Sequence, residues 1–261
     1  MHIQVKRLLA LTFLFSISLF SFAQQTKDKR SDRRERISTM VKQEEEGVLS
    51  YTKQNAFGIE LRTNGYGVFY EHGKRRTQKA TTIYGIELTE IKDRKEDKRG
   101  GNNFFANSYV YGKINNFYQV KLGLGQQYIF GQKGNKNGVA VLGSFQGGLA
   151  LGLLKPYYVD IVDGVGQNKP IKFEDDSARF LGPVNGASGF TVGWGELKLK
   201  PGVFLKTALR FDFGAYNESI QALEIGMSAD FYSDKIPMLV YNDPKQFFFQ
   251  GHIAFVFGRR K

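Results

Sequence analysis

The stretch from Gln246 to Phe257 alternates without a break. Every second residue gives Phe247, Phe249, Gly251, Ile253, Phe255 and Phe257, and the residues between are Phe248, Gln250, His252, Ala254 and Val256. One face is apolar and aromatic, the other mixed. A period of two means a strand lying between two unlike environments. Only Gly258, Arg259, Arg260 and Lys261 follow it. A strand of this kind, with an aromatic residue near its end, suits the closing position of a barrel in lipid, where no open sheet edge survives.

The same period recurs upstream. Ala56 to Thr63 sets Phe57, Ile59 and Leu61 against Gly58, Glu60 and Arg62. Asn64-Gly65 reads as a type I′ turn, and Tyr66 to Gly73 follows with Tyr66, Val68 and Tyr70 on one side. Ala80 to Ile91 sets Tyr84, Ile86 and Leu88 against Gly85, Glu87 and Thr89. Phe105 to Ile114 and Phe117 to Phe130 flank a second tight turn at Asn115-Asn116. The latter places Tyr118, Val120, Leu122, Leu124, Tyr128 and Phe130 opposite Gln119, Lys121, Gly123, Gly125 and Gln127. Val139 to Leu154 is apolar on both faces. After Pro201-Gly202, Val203 to Ala215 carries Val203, Leu205, Leu209, Phe211 and Phe213 on one face and Lys206, Arg210 and Asp212 on the other. Ile220 to Phe231 sets Leu223, Ile225, Met227 and Phe231 against Glu224, Ser228 and Asp230. These make nine strands. Merging the first two gives eight, and counting Phe190 to Lys200 as a strand gives ten. A single-chain bacterial barrel takes an even number, and ten is favoured.

Periodicity cannot tell an apolar face turned inward from one turned outward. Three features favour outward. Met1 to Arg7 is basic, Leu8 to Phe20 apolar, and Ser21-Phe22-Ala23 small enough for cleavage after Ala23, so residues 1–23 read as a secretory signal. Their apolar run is shorter than a spanning helix needs. The polar faces mix both signs with Gly and Gln, as a small barrel filled by its own ion pairs requires. Tyr and Phe gather near strand ends, where girdles sit. The fold expected is therefore all-β, an antiparallel transmembrane β-barrel of eight to ten strands. It would span residues 56–258, follow a charged flexible or helical extension at 24–55, and carry a long Pro- and Gly-containing loop at 155–189.

Resemblance adds a family. Asn107 to Gln127 (NSYVYGKINNFYQVKLGLGQQ), Leu151 to Tyr158 (LGLLKPYY), Gly193 to Lys206 (GWGELKLKPGVFLK), Leu223 to Gly226 (LEIG), Ile236-Pro237-Met238 and Phe257 to Arg260 carry it. On these stretches the chain resembles an uncharacterised family of small outer-membrane β-barrels in the Bacteroidota. The likeness covers most of the chain after Ala56 and implies a barrel in the outer membrane. It implies no activity. The basic lead-in departs from the pattern.

The side chains that carry chemistry are few. There is no cysteine, so neither a disulfide nor a thiolate metal site is available, and three histidines make no His-rich metal site. The formal charge is +12, or +10 without Lys6 and Arg7 of the signal. An exported chain turns that charge toward anionic lipid and lipopolysaccharide rather than nucleic acid. Glu60, Arg62, Glu87, Lys121, Lys206, Arg210, Asp212, Glu224 and His252 form the candidate polar network of the lumen. Of these, Lys206, Arg210, Asp212 and Glu224 make the best cluster. His252 is expected to approach Glu60 or Glu71 across the closing seam. Glu174-Asp175-Asp176 matches no calcium loop.

The function expected is a non-enzymatic outer-membrane barrel, a structural or accessory component of an envelope assembly. It would meet protein partners through its N-terminal extension or long loop. A narrow pore is one alternative. The other is a lipid-modifying enzyme, which would need a serine activated by His72 or His252.

Overall fold

The computed structural model describes residues 38, 49, 51–101, 106–135, 137–163, 166–215 and 217–261. The signal at 1–23 and most of the extension at 24–55 lie outside them.

Eight long strands form the wall. They are β1 (Lys53–Arg62), β2 (Gly65–Arg75), β3 (Ala80–Ile91), β6 (Asn115–Gly131), β7 (Ala140–Pro156), β11 (Lys198–Asp212), β12 (Ser219–Ile236) and β13 (Lys245–Arg260). Each pairs antiparallel with its neighbours in chain order. The seam between β1 and β13 closes the barrel, running from Gln54 opposite Arg260 to Arg62 opposite His252. Closure gives every wall strand a partner on both sides, as a lipid environment demands, although β13 continues past the end of β1.

Side chains alternate between the two faces along most of this wall. In β1, Gln54, Ala56, Glu60 and Arg62 are buried, while Phe57, Ile59 and Leu61 are exposed. Leu205 is 70% exposed and Phe255 56%, whereas Arg210 and Glu224 on the neighbouring positions are each 1% exposed. A soluble barrel would have the reverse. An apolar exterior around a charged interior is the wall of a barrel that sits in lipid.

The count is eight, not ten, and the differences have local causes. The stretch expected as a strand from Phe105 supplies only β5 (Tyr109–Val110), which pairs with β4 (Lys98–Arg99) outside the wall. Asn115-Asn116 is no turn. Gly112 makes the bend instead, at φ 68°, and the Asn115 side chain donates to Pro237 O at 2.9 Å while β6 begins. Pro201-Gly202 does not break β11. Pro201 faces outward opposite Leu151, and the ladder passes through it. The Asn64-Gly65 hairpin joins β1 to β2, but no non-glycine residue takes a positive φ, so it is not type I′. The barrel also starts and ends beyond 56–258, at Lys53 and Arg260, because the ladder of β1 and β13 continues to those residues.

The two ends differ. At the end that carries Lys53 and Arg260, the turns at 76–79, 132–139 and 213–218 are short. At the opposite end the connections 92–114 and 157–197 are long. The stretch read as a long loop at 155–189 holds regular structure in its described residues: β7 runs to Pro156, and β8 (Tyr158–Val162), β9 (Asn168–Lys172) and β10 (Gly186–Ala187) form a small sheet. A helical turn at Ser177–Phe180 is capped by Asp176, whose side chain accepts from Arg179 N at 3.0 Å. Val159, Ile161, Ile171, Phe180 and Val184 form a core of their own. The resulting cap is tied to the barrel rim by Tyr157 N donating to Ile114 O at 2.8 Å, and Val240 N donating to Gly112 O at 2.8 Å joins the two other connections beside it.

Candidate functional site

The alternation carries every polar inward residue of the long strands into one lumen, and the lumen is filled in layers. Toward the capped end lie Ile91, Phe117, Leu154, Phe204, Tyr232, Met238 and Phe248, packed as one apolar cluster. Toward the other end Leu49, Tyr51, Ile129, Ala140 and Leu142 form a second. Tyr51 lies under two guanidinium groups, Arg75 at 4.9 Å and Arg260 at 5.2 Å from its ring. Arg75 Nη1 donates to Leu49 O at 2.8 Å. The chain just ahead of β1 therefore enters the mouth of the barrel.

Between these layers is a belt of charge. Lys206 Nζ lies 2.9 Å from both Glu60 Oε2 and Glu87 Oε2. Arg62 reaches Glu87 at 3.1 Å and donates to Ser228 Oγ at 2.9 Å. Lys121 stands 2.8 Å from Asp230 and 3.2 Å from Glu87. Arg210 bonds Glu71 at 2.7 Å, and its Nε donates to Glu224 at 2.8 Å. Gln119 and Gln250 donate to Asp230 at 3.2 and 2.7 Å, and Gln146 to Glu71 at 2.5 Å. Buried charge persists only when paired and hydrogen-bonded. Here β1, β2, β3 and β6 on one side of the lumen are bonded to β7, β11 and β12 on the other through side chains alone.

Of the residues singled out from the sequence, Glu60, Arg62, Glu87, Lys121, Lys206, Arg210, Glu224 and His252 come together in this belt. Asp212 does not. It lies nearer the end with the short turns, paired with Arg260 and 3.4 Å from Lys133. His252 meets Glu224 at 3.3 Å rather than Glu60 or Glu71, because its register partner on β12 is Gly226 and Glu224 is the next inward residue. Two charged members of the belt, Glu71 and Asp230, and the two partners of Asp212, Arg260 and Lys133, were not among the candidates. Glu71 and Asp230 already lie on the inward faces marked out by the alternation of β2 and β12. Arg260 follows from continuing β13 past Phe257. Lys133 has no such signal, since it reaches back into the lumen from a turn.

The belt leaves little free space. A cavity of about 10 Å³ lies among Phe69, Glu71, Glu87, Lys121, Gln146 and Lys206, room for about one water. Among the described residues neither His72 nor His252 is hydrogen-bonded to a serine hydroxyl. His72 is on the outer wall 2.7 Å from Asn55 Oδ1, and His252 contacts a carboxylate. Among the described residues no group of three or more His, Cys, Asp or Glu is arranged to hold a metal ion. The acidic run at 174–176 is spent locally, with Glu174 pairing with Lys198 at 2.7 Å and Asp176 capping its helical turn.

No protein-family model matches the chain, and no curated protein matches it in sequence. Its coordinates are similar to solved structures of small barrels. With Neisserial surface protein A it shares 9% identity over 80% of this chain and 96% of that one, at a TM-score of 0.39. With the N-terminal β-barrel domain of Pseudomonas aeruginosa OprF it shares 8% over 80% and 99%, at 0.38. With Ail, the attachment invasion locus protein of Yersinia pestis, it shares 10% over 80% and 97%, at 0.34.

Proposed function

We propose that this chain is a non-enzymatic barrel of the bacterial outer membrane, acting as a structural or accessory component of an envelope assembly. The observation that carries the reading is the combination of an apolar outer wall with a lumen closed by ion pairs and by apolar clusters above and below. A wall of that kind needs lipid, and an interior of that kind transports nothing at rest. Short turns at the end that carries Lys53 and Arg260, and long connections at the other, match the usual periplasmic and extracellular sides of such barrels. The connections at the capped end would then face outward, offering Tyr241 and Phe190, both exposed, to partners in the envelope. The N-terminal extension would face the periplasm, where its charge can meet other envelope proteins or lipid.

Fractionation tests the placement. The chain should sediment with outer membranes and resist carbonate extraction, and recovery in the soluble periplasm would refute it. An enzyme that modifies lipid would require His252, so the lipid profile of cells overproducing the chain should be the same for wild type and His252→Ala. A profile that changes with wild type alone would overturn the non-enzymatic reading.

A further inference from the structure

The wall of the barrel is not of even height. β13 begins at Lys245, but its neighbour β1 ends at Arg62, opposite His252. From Lys245 to Gln250 β13 has β12 on one side and no paired strand on the other. At about 3.3 Å per residue, those six positions leave a gap of roughly 20 Å in the wall at the capped end. The gap is framed on three sides. Below it, Thr63 N donates to Gly251 O at 3.0 Å. Along its far side runs the chain leaving β3, held by Lys92 N donating to Asn64 O at 2.7 Å. Above it, Asn242 Nδ2 donates to Asp93 Oδ2 at 2.7 Å.

Inside this window is a cavity of about 240 Å³. Its back wall is apolar, made by Ile91, Met238 and Phe248 of the cluster that plugs the lumen. Phe247 and Phe249 flank it and also face the surrounding lipid. Its rim is cationic, with Lys92, Arg94 and Lys245 against the single carboxylate of Asp93. That carboxylate is engaged already, by Asn242 and by Lys95 N at 3.0 Å, and Lys245 is 4.0 Å from it. Among the described residues Lys92 and Arg94 make no ion pair. Lys92 instead stands 4.7 Å over the Tyr66 ring. The Oδ1 atom of Asn64, which also lines the window, is buried without a hydrogen-bond donor.

We propose that this window binds a phosphorylated, acylated amphiphile of the leaflet around the barrel's capped end. An acyl chain would lie along Phe247 and Phe249 toward Ile91 and Met238. A phosphate would meet the charges of Lys92, Arg94 and Lys245, which suit an oxyanion. A headgroup hydroxyl would donate to Asn64 Oδ1. A soluble anion would use the rim and leave the apolar back wall bare. The inference rests on the membrane placement proposed above.

Native mass spectrometry of the delipidated full chain in detergent tests it, with three probes: bis-phosphorylated lipid A, the same lipid without phosphates, and inorganic phosphate. The wild type should retain the bis-phosphorylated lipid. The variant K92Q/R94Q/K245Q should bind it about tenfold more weakly, a loss of roughly 1.4 kcal/mol, and the phosphate-free lipid should bind wild type no better than the phosphorylated lipid binds that variant. Lys245→Gln alone should shift binding in the same direction should the triple variant fail to fold. F247S/F249S should weaken lipid binding and leave phosphate binding unchanged. Lys198→Gln, remote from the window, should change nothing. Equal retention by wild type and the triple variant would overturn the inference, as would full displacement of the lipid by millimolar phosphate, the mark of a free-anion site. If the chain sediments with membranes yet binds both lipids alike, only this inference falls. If it is recovered as a soluble protein, the placement falls too.

Discussion

Arg210 is the residue on which most of the lumen depends. It spans from β11 to Glu71 and Glu224, and its removal leaves two carboxylates in a space with almost no water. Arg210→Met should therefore destabilise the barrel by about 3–5 kcal/mol, the usual cost of orphaning buried charge. The shift in the temperature at which the folded form is lost on unheated gels would measure it, and a shift no larger than that of a surface Arg259→Gln control would contradict it. A glycine makes a second test. A Cβ on Gly58 would fall 2.2 Å from the Phe69 ring, which lies over Lys206 Nζ at 4.5 Å. Gly58→Val should cost roughly 1–3 kcal/mol by forcing that ring aside. At this scale the sequence was readable wherever a charge sat in a clean alternation, as with Glu60, Lys121 and Arg210. It was silent where a charge arrives from a turn, as with Lys133, and where the register between neighbouring strands decides partners, as with His252 and Glu224.

The elements separate into a barrel and a cap with unlike legibility. β6, β11, β12 and β13 alternate apolar and polar residues because one face meets lipid and the other meets ion pairs. β7 does not. Its inward positions include Ser144, Gly148, Ala150 and Gly152, small enough to admit large side chains from other strands. A Cβ on Gly152 would fall 2.8 Å from Phe117 and 3.0 Å from Tyr232. Packing of large against small erased the pattern. The cap was unreadable for a different reason: Val159, Ile171 and Val184 are scattered among turn residues and meet only through long-range contacts. Because its core is its own, Val159→Asp should loosen the cap and leave the barrel intact. Trypsin should then cut within 157–197 while the barrel band persists, and loss of both together would show the two to be one cooperative unit. The cap should also respond to acid. Glu196 accepts from Lys172 and from the Tyr158 hydroxyl, and these hold its carboxyl below the ordinary value. A lowered value stabilises above the ordinary value, and that contribution is lost as the pH falls through the lowered one. The pair is exposed, so salt should weaken the effect. Trp194, the only tryptophan, lies in the same turn and stacks on Tyr118 at 5.6 Å. Its emission should change below about pH 4, and Glu196→Gln should abolish that change.

For the molecule as a whole, the lumen predicts electrical silence. The charge belt and the two apolar layers fill an eight-stranded barrel, whose interior is just wide enough for side chains. In planar bilayers the intact chain should give no steady conductance steps, and regular steps at neutral pH would argue for the pore reading instead. Deleting residues 24–52 removes Leu49 and Tyr51 from one mouth and leaves the belt in place, so that variant should remain silent too. The orientation of side chains was recoverable only by combining alternation with the leader-like start and the mixed signs of the polar faces. The number of strands was not, since Tyr109 and Val110 have the same local pattern as wall residues and leave the wall only because β6 and β3 already pair with each other.

The seam between β1 and β13 joins the two extremes of the folded chain. Until β13 has been made and threaded into place, β1 has a bare flank along its whole length, and so does every intermediate of the growing wall. Biogenesis must hold that flank away from fellow chains for as long as synthesis and export last. A barrel fastened in this way is completed all at once, at its final step, and a ribosome that stops a dozen codons early leaves a ribbon with nothing to latch onto.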